Sequence, residues 1–182
     1  MPRNTDDRPT TPAPGTYTID AGRSTIAFTT RHVFGLGAVD GTFALASGQV
    51  NIAAEPTLSS ATAVIAADSF TTASGARDKV VRSPKYLDTA THPHITFASN
   101  AVQDTGTGYV LRGELTVKAT AQPVELTFGQ PEFGAEGIRF SATTRIDRYA
   151  FGITADKGMT ARHLTLSFDI LAVPATGNTP GE

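Results

Sequence analysis

The chain has 182 residues and no cysteine. Disulfides, thiol nucleophiles and cysteine-ligated metals are therefore excluded. Clustered basic residues are also missing, and the formal net charge is −2. A nucleic acid is not an expected partner, because phosphate neutralisation needs grouped Lys and Arg. No apolar stretch approaches the ~20 residues of a membrane-crossing helix, so no transmembrane segment is expected. The first residues lack the apolar core of a secretion signal. A cytoplasmic location is the resulting expectation, or a periplasmic or secreted one where a leader precedes this sequence. Neither a G-x-S-x-G elbow nor a P-loop occurs, and the carboxylates are scattered over polar positions and turns. No enzyme, no catalytic residue and no cofactor are expected.

Large apolar residues are scarce at both ends. "MPRNTDDRPTTPAPG" (1–15) and "PATGNTPGE" (174–182) bury too little surface to offset the entropy of ordering, so both read as disordered tails. One domain, 16–173, remains between them, long enough for a sizeable core.

What is present is a period of two. In "YVLRGELTVK" (109–118), Tyr109, Leu111, Gly113, Leu115 and Val117 share one face, and Arg112, Glu114, Thr116 and Lys118 the other. "GIRFSATTRID" (137–147) and "HLTLSFDILAV" (163–173) alternate in the same way. These are half-buried antiparallel strands. Weaker strands are expected near 16–20, 24–33, 37–47, 49–54, 60–67, 94–104 and 122–130. Turn chemistry at "SGQ" (47–49), "DTGTG" (104–108) and "GAEG" (134–137) separates several of them. One segment breaks the pattern: "TTASGARDKVVRSPKYLDT" (71–89) holds a short helix over 76–82 with Ser74 as its cap, and Pro84 ends it. About ten strands with one helical insertion leave too few helices to cover a sheet. The sheet must bury its apolar face on itself, as a closed barrel or a two-sheet sandwich.

The order of motifs resembles the YceI-like family. "YTIDAGRSTIAFTTRHVFGLGAVDGTFALASGQV" (17–50) is similar to its opening, and "RDKVVRSPKYLDTATHPHITFAS" (77–99) to its central signature. "LRGELTVKATAQPVELTF" (111–128) resembles its hairpin, and "RIDRYAFGI" (145–153) its Asp-Arg-x-x-Phe-Gly segment. Asp40 stands where the family more often has a basic residue, and Arg23 where it typically has histidine. The resemblance implies an all-β, antiparallel, lipocalin-like β-barrel of about eight to ten strands, with the helical insertion near 71–89. It also implies a hydrophobic ligand, an isoprenoid chain, isoprenoid quinone or other lipid, and it makes a homodimer a reasonable assembly. The alternatives are a filled sandwich serving as an interaction module without ligand and, less favoured, an enzyme acting on a small lipid with His32 as base.

The expected ligand-binding residues follow from the apolar faces. Phe28, Phe43, Phe97, Leu111, Leu115, Phe140, Leu166 and Phe168 lie on them, while Phe70, Tyr86, Leu87 and Phe151 flank the insertion and the late loop. Small inward positions, Ala61, Ala63, Gly113, Ala142 and Ala172, leave room for a void, since a barrel of eight strands either fills or holds one small ligand. His32 ends an apolar row with Ile26, Phe28 and Thr30, and Phe34 follows it. Its imidazole suits either a polar head group at the rim or a backbone-bonded core position. Arg148 is expected in an ion pair with Asp147 or a neighbouring strand's carboxylate, its guanidinium fork also suiting a head group. His92 and His94 flank Pro93 at a strand entrance. A metal needs three or four converging ligands and only two further histidines exist, so no metal site is expected.

Overall fold

Alternation along the chain becomes ten antiparallel strands in the computed structural model, which describes residues 12–31 and 37–176. In chain order they are β1 (Gly15–Ile19), β2 (Thr25–Arg31), β3 (Ala38–Ile52) and β4 (Ser60–Thr72), followed by the helix α1 (Gly75–Arg82). Then come β5 (His94–Asp104), β6 (Tyr109–Val117), β7 (Thr120–Phe128), β8 (Glu132–Gly134), β9 (Gly137–Asp147) and β10 (His163–Pro174). Strand β10 pairs with both β9 and β2, so β2 to β7, β9 and β10 close on themselves as an eight-stranded barrel. Closure buries one face of every strand and removes the unpaired edges of an open sheet. A two-sheet sandwich is thereby ruled out.

Strand β1 does not add a ninth stave. It sits end to end with β2 in the same wall, pairing with the far half of β3 (Gly15↔Ile52) and with the end of β10 (Tyr17↔Pro174). A 3-10 turn at Ala21–Arg23 joins the two, capped by the Asp20 carboxylate, which accepts from the Arg23 N–H at 3.0 Å.

Two expectations need correction. The turn expected at 47–49 does not exist: β3 runs unbroken over 15 residues. Gly48 serves close approach instead, because a Cβ there would meet Ile19 Cδ1 at 2.5 Å. Strand β4 is longer than expected. Between Thr42↔Thr71 and Ala44↔Ala66 it bulges by several residues, and Ser69 Oγ fills the gap by accepting from the Ala44 N–H at 2.7 Å. The bulge places Phe70 inside, stacked on Phe28 at 5.0 Å and edge-on to Phe43 at 5.5 Å. The short strand β8 was not foreseen.

Loops gather at two ends. One end, here the cap, carries 73–93 with α1, the tight turn 118–119 and the loop 148–162. The other, the turn end, carries 20–24, 53–59, 105–108 and 129–136. One seam is thin. Strands β7 and β9 share only Thr127↔Thr143 and Phe128↔Ala142. Beyond that point Thr144 Oγ1 ties β9 to β7 by donating to the Glu125 carbonyl at 2.7 Å, and Gln122 Nε2 ties β7 to the loop after β9 by donating to the Ala150 carbonyl at 2.9 Å. Pro123, which has no N–H to give a ladder, lies on this stretch of β7.

Candidate functional site

The barrel is hollow. A cavity of about 840 Å³ runs from the cap, where Ala76, Arg77 and Val80 of α1 border it, to the turn end, where Ile52, Ser59, Tyr109 and Phe128 do. Its wall is the inner face of the strands. In the half nearer the cap, Phe28, Phe43 and Phe70 form one aromatic cluster. Toward the turn end, Phe128 stacks on Tyr109 at 5.4 Å and meets Phe140 edge-on at 6.2 Å. Between them Ala61, Ala63 and Ala142 line the void, and their short side chains leave it open. Gly113 acts differently: a Cβ there would meet the Phe97 ring at 2.6 Å, so the glycine makes space for that ring and not for a guest. Ala172 leaves no room either. It is fully buried in a separate cluster with Tyr17 and Ile138.

Charge enters the wall at one end only. Among the described residues, the charged groups lining the cavity are Arg31, Arg77, Arg148 and Asp156, all at the cap. The polar groups toward the turn end, such as Ser59, Ser60, Tyr109 and Gln130, are neutral.

The cap is built from local chemistry. Ser74 Oγ accepts from the Arg77 N–H at 3.3 Å and starts α1. Asp78, buried in the first turn, accepts from the Thr72 N–H at 2.9 Å and the Thr72 hydroxyl at 2.7 Å, which clamps the helix to the end of β4. Those Thr72 bonds hold the Asp78 carboxyl below the ordinary aspartate range. Arg82 reaches back to the Phe70 carbonyl. The following turn docks onto the loop 148–162 through one carboxylate: Asp156 accepts from Lys85 Nζ and from the Tyr86 hydroxyl at 2.6 Å. Lys85, and then Tyr86, lower the Asp156 pKa. Burial, reinforced by the Asp156 carboxylate, raises that of Tyr86.

Arg148 corrects the sequence reading. It makes no ion pair among the described residues. Only 6% exposed, it donates from Nε to Ala161 O (2.8 Å), from Nη1 to Ile153 O (2.8 Å) and from Nη2 to Thr160 O (3.1 Å). Its guanidinium also lies 4.8 Å from the Tyr149 ring centroid. Asp147 bonds Arg162 instead, at 2.6 Å. Neighbouring residues at a strand end face opposite ways, so Asp147 turns to the surface while Arg148 turns in and ties the loop 153–161 together.

The other sequence-predicted positions fall as follows. Phe28, Phe43, Phe70, Tyr86, Leu87 and Phe97 border the cavity, as do Leu111, Leu115, Phe140, Phe151 and Phe168. His32 and Phe34 lie outside the described residues. His94 is exposed on the outer face at the start of β5, and the His92 N–H bonds the Asp88 carbonyl at 2.8 Å. Asp156 and Thr160 are wall residues that the sequence did not flag, because the loop carrying them has no periodicity. Leu164 and Ile170 were also missed as lining residues, although the alternation of β10 marks them.

The chain matches the YceI-like domain over residues 17–172. A UPF0312 protein of Shewanella baltica (strain OS185) is 30% identical over 166 residues, which is 86% of either chain. Among solved structures, BcnA of Burkholderia cenocepacia aligns with a TM-score of 0.76 at 23% identity, over 85% of this chain and 99% of that one. A polyisoprenoid binding domain from Saccharophagus degradans, implicated in plant cell wall breakdown, aligns with a TM-score of 0.65 at 16% identity, over 87% and 98% of the two chains.

Proposed function

The chain belongs to the YceI-like family, and on that premise we propose that it binds and carries one long apolar ligand, an isoprenoid chain or comparable lipid, inside the barrel. The observation that carries this reading is the cavity itself. At the ~30 Å³ a small heavy-atom group occupies in a condensed phase, about 840 Å³ holds roughly 30 non-hydrogen atoms. Each CH₂ taken out of water contributes about 0.8 kcal/mol before the costs of association. At ~0.3 kcal/mol per atom after those costs, such a ligand reaches about −9 kcal/mol, a sub-micromolar Kd.

Polarity orients the guest. A head group sits favourably at the cap, among the Arg31, Arg77 and Asp156 side chains, and the tail extends past Phe97 and Leu115 toward Tyr109 and Phe128. Carriage is favoured over catalysis because the strongest polar groups of the wall are already engaged. Arg148 is spent on three carbonyls, and Asp156 on Lys85 and Tyr86.

A chain-length series tests the reading. Prenyl alcohols added to the protein raise Tm progressively with length up to about 30 heavy atoms, then no further. Ala63→Trp, which places an indole in the void, abolishes that response while the variant still folds. A flat response at every length, or an unchanged response in Ala63→Trp, contradicts the proposal.

A further inference from the structure

The two ends of the barrel carry opposite charge. Among the described residues, the cap loops 73–93, 118–119 and 148–162 hold eight Lys and Arg against three carboxylates. The four segments of the turn end, 20–24, 53–59, 105–108 and 129–136, hold one cation, Arg23, against Asp20, Glu55, Glu132 and Glu136. The chain as a whole is slightly acidic, at −2, so the cap is a local cationic face on a protein with no overall attraction to anions.

Several of these cations are not consumed by the fold. Within the cap, Lys85 and Arg162 pair with carboxylates and Arg148 is buried. Lys79 and Lys157 are exposed, and neither forms an ion pair among the described residues, although Lys157 Nζ lies 5.3 Å over the Tyr149 ring and keeps its charge uncompensated there. Lys118 donates to the Pro84 carbonyl at 3.3 Å, which leaves its charge uncompensated. Two of the three large apolar side chains exposed among the described residues stand in the same face: Met159 at 77% and Val80 at 46%. Val80 also borders the cavity, so one side chain belongs both to the outer face and to the lining of the void.

We propose that the cap is a docking face for an anionic lipid bilayer, with Lys79, Lys118 and Lys157 at the headgroups and Met159 and Val80 dipping between them. Lysines around short apolar protrusions suit a surface that is negative at its face and greasy just below. A bilayer is favoured over an acidic protein because the face carries two separate apolar tips and no packed aromatic anchor. That choice also rests on the reading that the cargo is a lipid. Docked this way, the cap end of the cavity faces the phase from which such a cargo comes, and a lipid tail passes in beneath α1 without crossing water.

Flotation with vesicles tests the proposal. The full chain binds vesicles of phosphatidylcholine with about 30% phosphatidylglycerol, ignores pure phosphatidylcholine, and is released by 0.5 M NaCl. Each cation near an anionic surface is worth about fivefold, so the double variant Lys79→Glu/Lys157→Glu lowers partition by about 30-fold or more. Met159→Ser lowers it less. Adding Glu114→Lys and Glu132→Lys, on the outer barrel wall and the turn end, returns the double variant to its original net charge without restoring its binding, which separates a local face from net charge. Equal partition to neutral vesicles, no partition to anionic ones, or an unaffected double variant overturns the docking face. The prenyl-alcohol thermal shift, run in parallel on all variants, keeps the two readings apart. Docking without a thermal shift removes the carrier and leaves the face, and a thermal shift without docking does the reverse.

Discussion

The turn end and the cap of this barrel are made in different ways. At the turn end the connections are short and local. Thr105 N–H bonds the Gly108 carbonyl, and Asp104 accepts from the Gly106 N–H at 2.7 Å. Its long-range ties are few: Arg23 pairs with Glu136 across the surface, the Asp20 N–H donates to the Leu171 carbonyl, and the Leu171 N–H donates to Ser24 Oγ. The cap is assembled from distant pieces. Lys85 and Tyr86 meet Asp156, 71 and 70 residues later, and the loop that supplies Asp156 is held by Arg148. Short turns need only compatible backbone, whereas an assembled lid needs each polar tie intact. The part of the molecule that caps the cavity is therefore the part most exposed to single changes.

Substitutions should expose that asymmetry. Arg148→Met, which leaves three carbonyls without their donor, should cost about 3 kcal/mol or more and lower Tm by roughly 10 °C. Arg148→Lys should recover less than half, because one ammonium cannot reproduce a planar fork aimed at three acceptors. Denaturation curves on the two variants check both statements.

Acid sharpens the comparison further. The Asp78 and Asp156 pKa values are depressed in the folded protein, by the Thr72 bonds in one case and by Lys85 and then Tyr86 in the other. Their stabilisation is complete above the ordinary aspartate pKa of about 4 and is lost as pH falls through the lower folded values. Amide exchange followed down that window should show α1 and 154–162 opening before the strands, with the turns at 105–108 unchanged. The alkaline side runs the other way. The folded pKa of Tyr86 is raised, chiefly by burial, so its contribution is whole below about 10 and lost as pH climbs past the folded value.

Tyr86→Phe, which removes the hydroxyl tie to Asp156 and keeps the ring, should cost about 1 kcal/mol. Leu58→Ser should matter least. Leu58 is 72% exposed at the turn end, and a polar replacement there should stay within about 0.5 kcal/mol. A large loss from Leu58→Ser, or none from Arg148→Met, would erase the distinction between the two ends.

How much of this was legible beforehand depends on whether a pattern was local. Strands β6, β9 and β10 alternate cleanly, and their inward residues could be read directly. The helix was readable because Ser74, the run to Arg82 and Pro84 are adjacent in the chain. Gly48 misled because a glycine beside Ser47 looks like a turn, and the contact with Ile19 that requires it lies 29 positions away. The count of about ten strands came out right for a mixed reason, since β3 was divided in two and β8 was overlooked. Arg148 was singled out in the sequence, but its three carbonyl partners were not. Carbonyl acceptors carry no sequence signature, and the adjacent Asp147 drew attention away from them. The same holds for Asp156, which sits in a loop and acquires meaning only when Lys85 and Tyr86 are brought to it.

Whether the hollow interior takes up a long apolar molecule is read off native mass spectra of the purified full chain. A population heavier than the polypeptide by one lipid is expected. Organic extraction should return the protein to its sequence mass, and adding a prenyl alcohol of about 30 heavy atoms should restore a one-to-one complex. A single species at the bare sequence mass, unchanged by extraction and unmoved by any prenyl chain offered, would contradict it.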